Sequence, residues 1–239
     1  MHSSELFFKG VKRMIFEDYT QIVKGFQHDE SVSLTSTFDE LCAAQDTLIA
    51  EIVEKGANIA GWKIVDKDGV LILSPIFDFQ VFSNQGEQIS NQAIRGTELE
   101  ICFSLKVPNQ LEEVDSVLAE LAPFVAVELI RPEIHPNNHS ACDFYFNYGV
   151  FVSEQPVSGD VVFEGGKLGY RFFAQIDQLV EEKKAIVKRG ILQCIQRGYG
   201  NKPYFFITGT LNGLVPAADS LGVNRVVCQE KAIIQFDLV

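Results

Sequence analysis

Residues 97–107 read Thr97-Glu98-Leu99-Glu100-Ile101-Cys102-Phe103-Ser104-Leu105-Lys106-Val107, and this stretch does most to determine the fold. Its alternating pattern predicts a half-buried β-strand with the apolar side chains on one face. Glu98 and Glu100 then share the other face, with Cα atoms about 6.5–7 Å apart. Paired carboxylates suit a hard divalent cation such as Mg²⁺ or Mn²⁺. The solvated face of an amphipathic strand would give the same pattern, so both interpretations stay open.

Most of the chain after residue 60 has the same character. Short apolar segments are separated by turn signals, of which Asp66-Lys67-Asp68-Gly69 is a candidate hairpin turn. Helices are predicted only at 111–121 and from about Phe173 to Val187. Because strands dominate without regular βαβ alternation, an antiparallel or mixed, barrel-like body is expected. The predicted strands, besides 97–107, are 62–65, 70–73, 124–130, 148–152, 161–163, 204–211, 214–215, 225–227 and 232–236.

The first 60 residues are predicted to be helical. Apolar residues recur with a helical period from Ser4 to about Lys24. Thr37-Phe38-Asp39-Glu40 forms a capping box for a second helix that runs to Lys55, and Gly56 is placed to end it. The fold class is therefore α+β, with a helical N-terminal region (1–60) on a β-rich, barrel-like body (61–239).

Composition and charge exclude several classes of function. The net charge is −12, which repels phosphate backbones and anionic lipid, so we expect no nucleic acid and no membrane as partners. No apolar run reaches 18 residues, the length of a spanning helix, and the first residues do not have the pattern of a secretory signal. These features predict a soluble, cytoplasmic protein.

The cysteines and histidines do not form a recognisable metal or disulfide pattern. The five cysteines (Cys42, Cys102, Cys142, Cys194 and Cys228) are scattered and odd in number, which favours free thiols in a reducing compartment. His135 and His139 are close in sequence but lie in a Pro- and Asn-rich segment. We interpret that segment as a loop, and a zinc pair there is the minor alternative.

A third carboxylate lies in a second apolar segment. In Ala122-Pro-Phe-Val-Ala-Val-Glu-Leu-Ile130, Glu128 carries the one charge among neighbours that are predicted to be buried. A desolvated carboxylate must be paired or must bind a metal. An ion pair with nearby Arg131 and a three-carboxylate cluster with Glu98 and Glu100 are the two interpretations.

These segments together resemble a known family. Gly61-Trp-Lys-Ile64, Asp78-Phe79, 98–105, 122–128, 148–152 and 206–211 follow in the order and spacing of the 2-keto-4-pentenoate hydratase and 4-oxalocrotonate decarboxylase family. That family belongs to the fumarylacetoacetate hydrolase superfamily. The likeness covers roughly residues 35 to 239 and implies a body of the fumarylacetoacetate hydrolase C-terminal type.

The resemblance implies roles for seven residues. Metal ligands would be Glu98, Glu100 and Glu128, holding Mg²⁺ or Mn²⁺. Lys63 and Asp78 would be the catalytic Lys and Asp, and Thr208 with Gly209 would lie in the substrate-binding loop. The implied protein is a homo-oligomer, and its partner is a small-molecule 2-oxo acid.

Several functions remain compatible with the sequence. The resemblance favours a hydratase that adds water to a 2-hydroxydienoic acid to give a 4-hydroxy-2-oxo acid. Decarboxylation of a 2-oxo diacid passes through the same enolate and is the sister possibility. The chain departs from the family at Trp62 and Val65-Asp66, and it has no Leu-Gly-x-Pro segment. The altered Val65-Asp66 stretch and the missing segment motivate a second hypothesis, a non-catalytic or repurposed descendant that keeps the fold. A pure β-barrel binding module is the third.

Overall fold

The computed structural model of the chain describes residues 38–67, 70–132, 144 and 147–239. The predicted helix 4–24, the Thr37 cap, the two loop histidines and Cys142 therefore lie outside the described residues. So do two residues of the predicted hairpin turn, Asp68 and Gly69. In chain order the described elements are α1 (Phe38–Glu54), β1 (Ile59–Lys67), β2 (Val70–Phe77), β3 (Gln85–Ile89), β4 (Gly96–Lys106), α2 (Val114–Ala119), β5 (Pro123–Ile130), β6 (Asn147–Val152), β7 (Asp160–Gly165), β8 (Tyr170–Gln175), α3 (Ile176–Gln196), β9 (Pro203–Thr210), β10 (Val215–Pro216), β11 (Gly222–Cys228) and β12 (Lys231–Leu238).

The helix α1 follows the sequence closely. It ends at Glu54, and Gly56 then adopts φ +97°, a backbone conformation that glycine tolerates best. Leu48, Ile49 and Ile52 are buried in the main hydrophobic core. The predicted second helix is confirmed, and it is the one helix of the N-terminal region within the described residues.

The strands form two sheets. The larger sheet has seven strands in the order β2-β1-β9-β4-β5-β6, with β10 paired to β4. Its pairs are antiparallel except for β1 with β9, which run parallel. The smaller sheet has five strands in the order β3-β12-β11-β7-β8. The predicted α+β class with a β-rich body is confirmed, whereas the domain division at residue 60 stays a prediction.

The two faces of the larger sheet bury very different amounts of apolar surface. Leu99, Ile101 and Phe103 of β4 face the main core. The opposite face carries a small separate apolar cluster made of Ile76, Cys102, Ala126, Val150 and Ile207. Since Cys102 has the same strand parity as Glu98 and Glu100, both glutamates lie on the face of this small cluster.

The larger sheet is curled. Lys63 in β1 and Glu128 in β5 are separated by two strands, β9 and β4. In a flat sheet their backbones would be about 14 Å apart, further than side chains standing upright on the sheet can bridge. Lys63 Nζ nevertheless lies 2.8 Å from Glu128 Oε1. The sheet therefore closes toward a half-barrel, and both side chains point to its concave side.

The helix α3 packs closely against this sheet. A Cβ atom on Gly190 would approach Ile64 Cδ1 to 2.8 Å, so the glycine permits the short distance between helix and sheet. The predicted helix start near Phe173 is wrong, because Phe173 belongs to β8 and the helix begins at Ile176. The helix also continues beyond Val187, as far as Gln196.

Two further expectations concern cysteines and membranes. Cys42, Cys102, Cys194 and Cys228 are free thiols, three of them buried, as predicted. Within the described ranges, the helices are either too short or too polar to cross a lipid bilayer.

Candidate metal centre and pocket

The register of two neighbouring strands brings the three glutamates together. Glu98 in β4 lies directly opposite Glu128 in antiparallel β5, and Glu100 is opposite Ala126. Because residues two apart in a strand share a face, all three carboxyl groups point to the concave side. One carboxylate oxygen from each lies within 4.8 Å of the other two. The structure therefore forms the predicted three-carboxylate cluster.

The cluster is buried, so the alternative of a solvated strand face is wrong. Glu100 and Glu128 have no exposed surface, and Glu98 is half-buried. Glu100 Oε1 and Glu128 Oε2 accept no hydrogen bond from any described residue. A buried carboxylate oxygen without a donor is costly unless a cation or a proton satisfies it. The residues present thus fit a hard divalent cation, for which carboxylate oxygens are the preferred ligands.

Lys63 supplies an ammonium group to the cluster. Its Nζ atom lies 2.8 Å from Glu128 Oε1, and 10% of its side chain is exposed. The strand β1 is paired on both sides, so Lys63 is not a charge on a sheet edge. Glu128 thus finds its ion-pair partner in a distant strand, whereas the sequence had suggested the neighbouring Arg131. Three carboxylates and one ammonium leave two negative charges, which a divalent cation would neutralise.

The pKa values of these groups reflect mutual repulsion and attraction. Burial and the neighbouring Glu128 raise the pKa of Glu98 and raise that of Glu100 well above the ordinary value, although Lys63 opposes both shifts. Burial alone would lower the pKa of Lys63, but the carboxylates of Glu128, Glu100 and Glu98 outweigh it and raise this pKa. The raised pKa favours the protonated, cationic form of Lys63.

The strand β9 holds Glu100 in place. The backbone N–H of Gly209 donates a 2.8 Å hydrogen bond to Glu100 Oε2. The Thr208 hydroxyl donates to the carbonyl oxygen of Ile101, at 2.9 Å. Thr208 and Gly209, the two residues predicted for the substrate loop, thus lie beside the glutamates. The Thr208 hydroxyl and the Gly209 N–H both donate hydrogen bonds within the protein. Their predicted contact with substrate stays a prediction.

An open pocket of about 420 Å³ lies over the cluster. Its size falls in the range of small-molecule sites. The residues that line it include Lys63, Glu98, Glu100, Thr208 and Gly209 from the predicted set. Arg95, directly before β4, and Lys183, in α3, also line it, and sequence reasoning missed both. Arg95 was detectable as a cation three positions before Glu98, whereas no local pattern marks Lys183.

Asp78 lies apart from this group. It opens a short 3₁₀ helix after β2, and among the described residues it does not line the pocket. Its carboxylate accepts hydrogen bonds from the backbone N–H of Asn58 at 3.3 Å and from Asn58 Nδ2 at 3.1 Å. Asp78 thus ties the end of β2 to the segment that precedes β1. Its predicted catalytic role stays a prediction.

Comparisons with known proteins identify the fold. The complex of 4-oxalocrotonate decarboxylase from Pseudomonas putida G7 with calcium and acetate matches with a TM-score of 0.67 and 16% identity, over 94% of this chain and 98% of that chain. The complex of the same enzyme with magnesium and adipate gives 0.64 and 13%, over the same shares. A protein from Yersinia pestis CO92 named for the fumarylacetoacetate hydrolase family gives 0.50 and 11%, over 77% and 94%.

The chain has the fumarylacetoacetate hydrolase fold. At these identities the likeness is one of fold, and at that level the predicted resemblance is confirmed. No protein-family model and no curated protein sequence matches the chain.

Proposed function

We propose that this protein is a divalent-metal-dependent lyase that acts on a small 2-oxo acid or its 2-hydroxydienoic form. The observation that carries the proposal is the convergence of Glu98, Glu100 and Glu128 within 4.8 Å beneath a pocket of about 420 Å³. Two of these carboxylates carry buried oxygens that accept no hydrogen bond from the described residues. The proposed cofactor is Mg²⁺ or Mn²⁺, because both prefer oxygen ligands.

The proposed reaction requires stabilisation of the negative charge that develops on the oxygen of the 2-oxo group. When such an ion is bound, it supplies Lewis-acid polarisation of a 2-oxo group and favours the enolate. Lys63 borders the same pocket, and its raised pKa keeps the ammonium charged. We assign to Lys63 two roles: orienting Glu128 through the ion pair, and stabilising negative charge that develops on the substrate oxygen. Gly209 fixes the second ligand, Glu100, through its backbone N–H.

The favoured reaction is hydration of a 2-hydroxydienoic acid to a 4-hydroxy-2-oxo acid. The sequence resemblance supports this choice, and the pocket volume suits a substrate of this size. On the resemblance alone we also propose a catalytic role for Asp78, whose carboxylate accepts hydrogen bonds from Asn58. We also propose, on the resemblance alone, that the protein is a cytoplasmic homo-oligomer.

Decarboxylation of a 2-oxo diacid is the second candidate. It is supported by the match to a 4-oxalocrotonate decarboxylase over 94% of this chain and 98% of that chain. Both reactions require the same stabilised enolate, so the carboxylate cluster serves either one.

Calorimetry and two assays test the proposal. Mn²⁺ should bind the purified chain, and a 2-oxo acid should bind only to the Mn²⁺-loaded protein. Loss of the ultraviolet absorbance of 2-hydroxypenta-2,4-dienoate, dependent on both metal and protein, would identify the hydratase. Release of CO₂ from a 2-oxohexenedioate would identify the decarboxylase. Metal binding without binding of any 2-oxo acid would contradict both and favour a non-catalytic descendant.

A further inference from the structure

A second pocket, of about 390 Å³, lies at one edge of the smaller sheet. Its walls come from the start of β12, the start of β3 and the segment 153–158 that follows β6. Among the described residues, none lines both this pocket and the pocket over the carboxylate cluster. The scheme proposed above therefore gives this second pocket no role.

Part of β12 has a free edge in this pocket. The strand spans Lys231–Leu238, but β3 pairs with it only from Gln235 onward. On its other side β12 is paired with β11. No described strand pairs with 231–234 on the β3 side, the side on which Asn84 and Gln85 line the pocket. A strand edge of this kind presents backbone N–H and C=O groups with which another extended backbone can pair.

Asn84 carries a buried acceptor at the point where β3 separates from β12. Its carbonyl oxygen accepts a 2.8 Å hydrogen bond from the N–H of Gln235, and its Nδ2 donates to the carbonyl oxygen of Val152. The residue is 9% exposed, and its Oδ1 accepts no hydrogen bond from any described residue. A buried amide oxygen without a donor is costly, so a ligand that brings an N–H group to Asn84 would be favoured.

The other lining side chains favour an uncharged amide as the ligand. The two charged residues of the described lining, Glu154 and Lys231, have opposite signs, so this wall has no net charge although the chain carries −12. Carboxamide groups both donate and accept hydrogen bonds, as a backbone amide does. The lining contains four of them, Asn84, Gln85, Gln155 and Gln229.

We propose that an extended, uncharged peptide segment of a partner protein binds in this pocket and adds to β12 at 231–234. Four residues of strand are about 13 Å long, so the free edge accommodates a segment of about four residues. Backbone pairing would supply the affinity, and one peptide N–H would donate to Asn84 Oδ1. Side chains on one face of the segment would contact the apolar wall formed by Val157 and Ile233.

Binding of a short capped peptide tests this inference. The probe is an uncharged tetrapeptide of alternating threonine and valine, acetylated and amidated at its ends, because both residues favour extended backbone. Calorimetry on the full chain should show saturable binding that persists in EDTA. The Mn²⁺ affinity should be the same with and without the peptide. The same peptide with every backbone amide N-methylated should bind at least about tenfold more weakly, since it has no N–H to donate.

A variant and a second measurement locate the binding site. Asn84→Ala removes the buried acceptor and should weaken binding about three- to tenfold. Asn109→Ala is the matched control, because Asn109 is exposed and lines neither pocket. Hydrogen exchange on the unaltered chain provides the test if Asn84→Ala does not fold. The peptide should slow exchange of the amides in 231–234 and leave those of β8, at the opposite edge of the same sheet, unchanged.

The outcomes separate this inference from the proposed function. Absence of saturable binding would overturn it, and so would equal protection of β8, because the peptide would then pair with any free edge. Equal binding of the N-methylated peptide would also overturn it, since the pocket would then hold a ligand without strand pairing. Dissociation of a self-associated chain by the peptide would assign the edge to a second copy and overturn the partner. Peptide binding to a chain that fails to bind Mn²⁺ would support the inference and overturn the proposed function.

Discussion

Glu98 and Glu128 are direct cross-strand partners in an antiparallel pair. Like charges at such positions repel each other and destabilise a sheet. The chain nevertheless places Glu100 on the same face, one pleat along, and leaves oxygens of two carboxylates without hydrogen-bond donors among the described residues. A bound cation would convert this repulsion into a stabilising contact.

Glu98→Gln should separate metal binding from stability. Glu98 is half-buried, and the ion pair of Lys63 is with Glu128, so the substitution relieves repulsion and leaves that ion pair in place. We expect the metal-free variant to be as stable as the parent or more stable by up to about 1 kcal/mol. The rise in Tm that Mn²⁺ produces in the parent should disappear. Glu54→Gln, at the exposed end of α1, is the control and should keep the full rise.

Lys63→Met should destabilise the metal-free protein strongly. The substitution leaves the fully buried carboxylate of Glu128 without its ammonium partner, a change that typically costs about 3–5 kcal/mol in the free energy of unfolding. Urea denaturation measures this cost. The double variant Lys63→Met/Glu128→Gln should recover a large part of it, and equal losses in the single and double variants would contradict the interpretation.

Metal-dependent stabilisation should increase with pH. The raised pKa values of Glu98 and Glu100 mean that the folded, metal-free protein holds protons that the unfolded chain has released. The associated stability is complete below the unfolded carboxyl pKa of about 4.3 and is lost as pH rises through the raised values. Since Mn²⁺ competes with these protons, its effect on Tm should be larger at about pH 7.5 than at about pH 5.5. Thermal unfolding with and without Mn²⁺ checks this, and a shift independent of pH would contradict it.

Gly209→Ala should weaken metal binding more than a comparable glycine substitution. Gly209 has φ +91°, and its N–H fixes Glu100, so an added Cβ strains the backbone at the point that positions a ligand. Gly56 has φ +97°, and both glycines have open space where a Cβ would lie. Gly56→Ala should therefore cost a similar amount of stability, about 1 kcal/mol, and leave the Mn²⁺ affinity measured by calorimetry unchanged. Equal affinities in the two variants would argue against a positioning role for Gly209.

The parts of the fold that the sequence predicts well are those governed by local periodicity. The alternation of apolar and polar residues in 97–107 predicts that Glu98 and Glu100 share one face of the strand. Gly56, as a helix-ending residue, predicts the end of α1. β3 was missed because Gln85-Gly-Glu-Gln-Ile89 is a polar strand on the edge of a sheet, with little apolar alternation. The sequence predicts the end of β8 as helix, because the apolar residues Phe172 and Phe173 are followed at once by the apolar pattern of α3.

The contacts that depend on strand order were not available from local patterns. The pairing of Lys63 with Glu128 requires β9 to enter between β1 and β4 and the sheet to curl. The position of Lys183 over the pocket depends on how α3 packs at Gly190. The resemblance grouped Glu98, Glu100 and Glu128, which the structure brings together, and their role as metal ligands stays a prediction. It did not supply the ion pair of Lys63 or the two further cations of the pocket lining.

The position of β9 between β1 and β4 determines when, during synthesis of the chain, the site can form. β1 and β4 both precede β9 by about a hundred residues or more, so neither can complete its hydrogen-bonded ladder until 203–210 have left the ribosome. Until then Glu100 lacks the hydrogen bond from the Gly209 N–H. Lys63 is also not yet held near the carboxylates, because β9 is the strand that joins β1 to β4. If the site binds a metal ion as proposed, the complete site becomes available to that ion only after 203–210 have been synthesised.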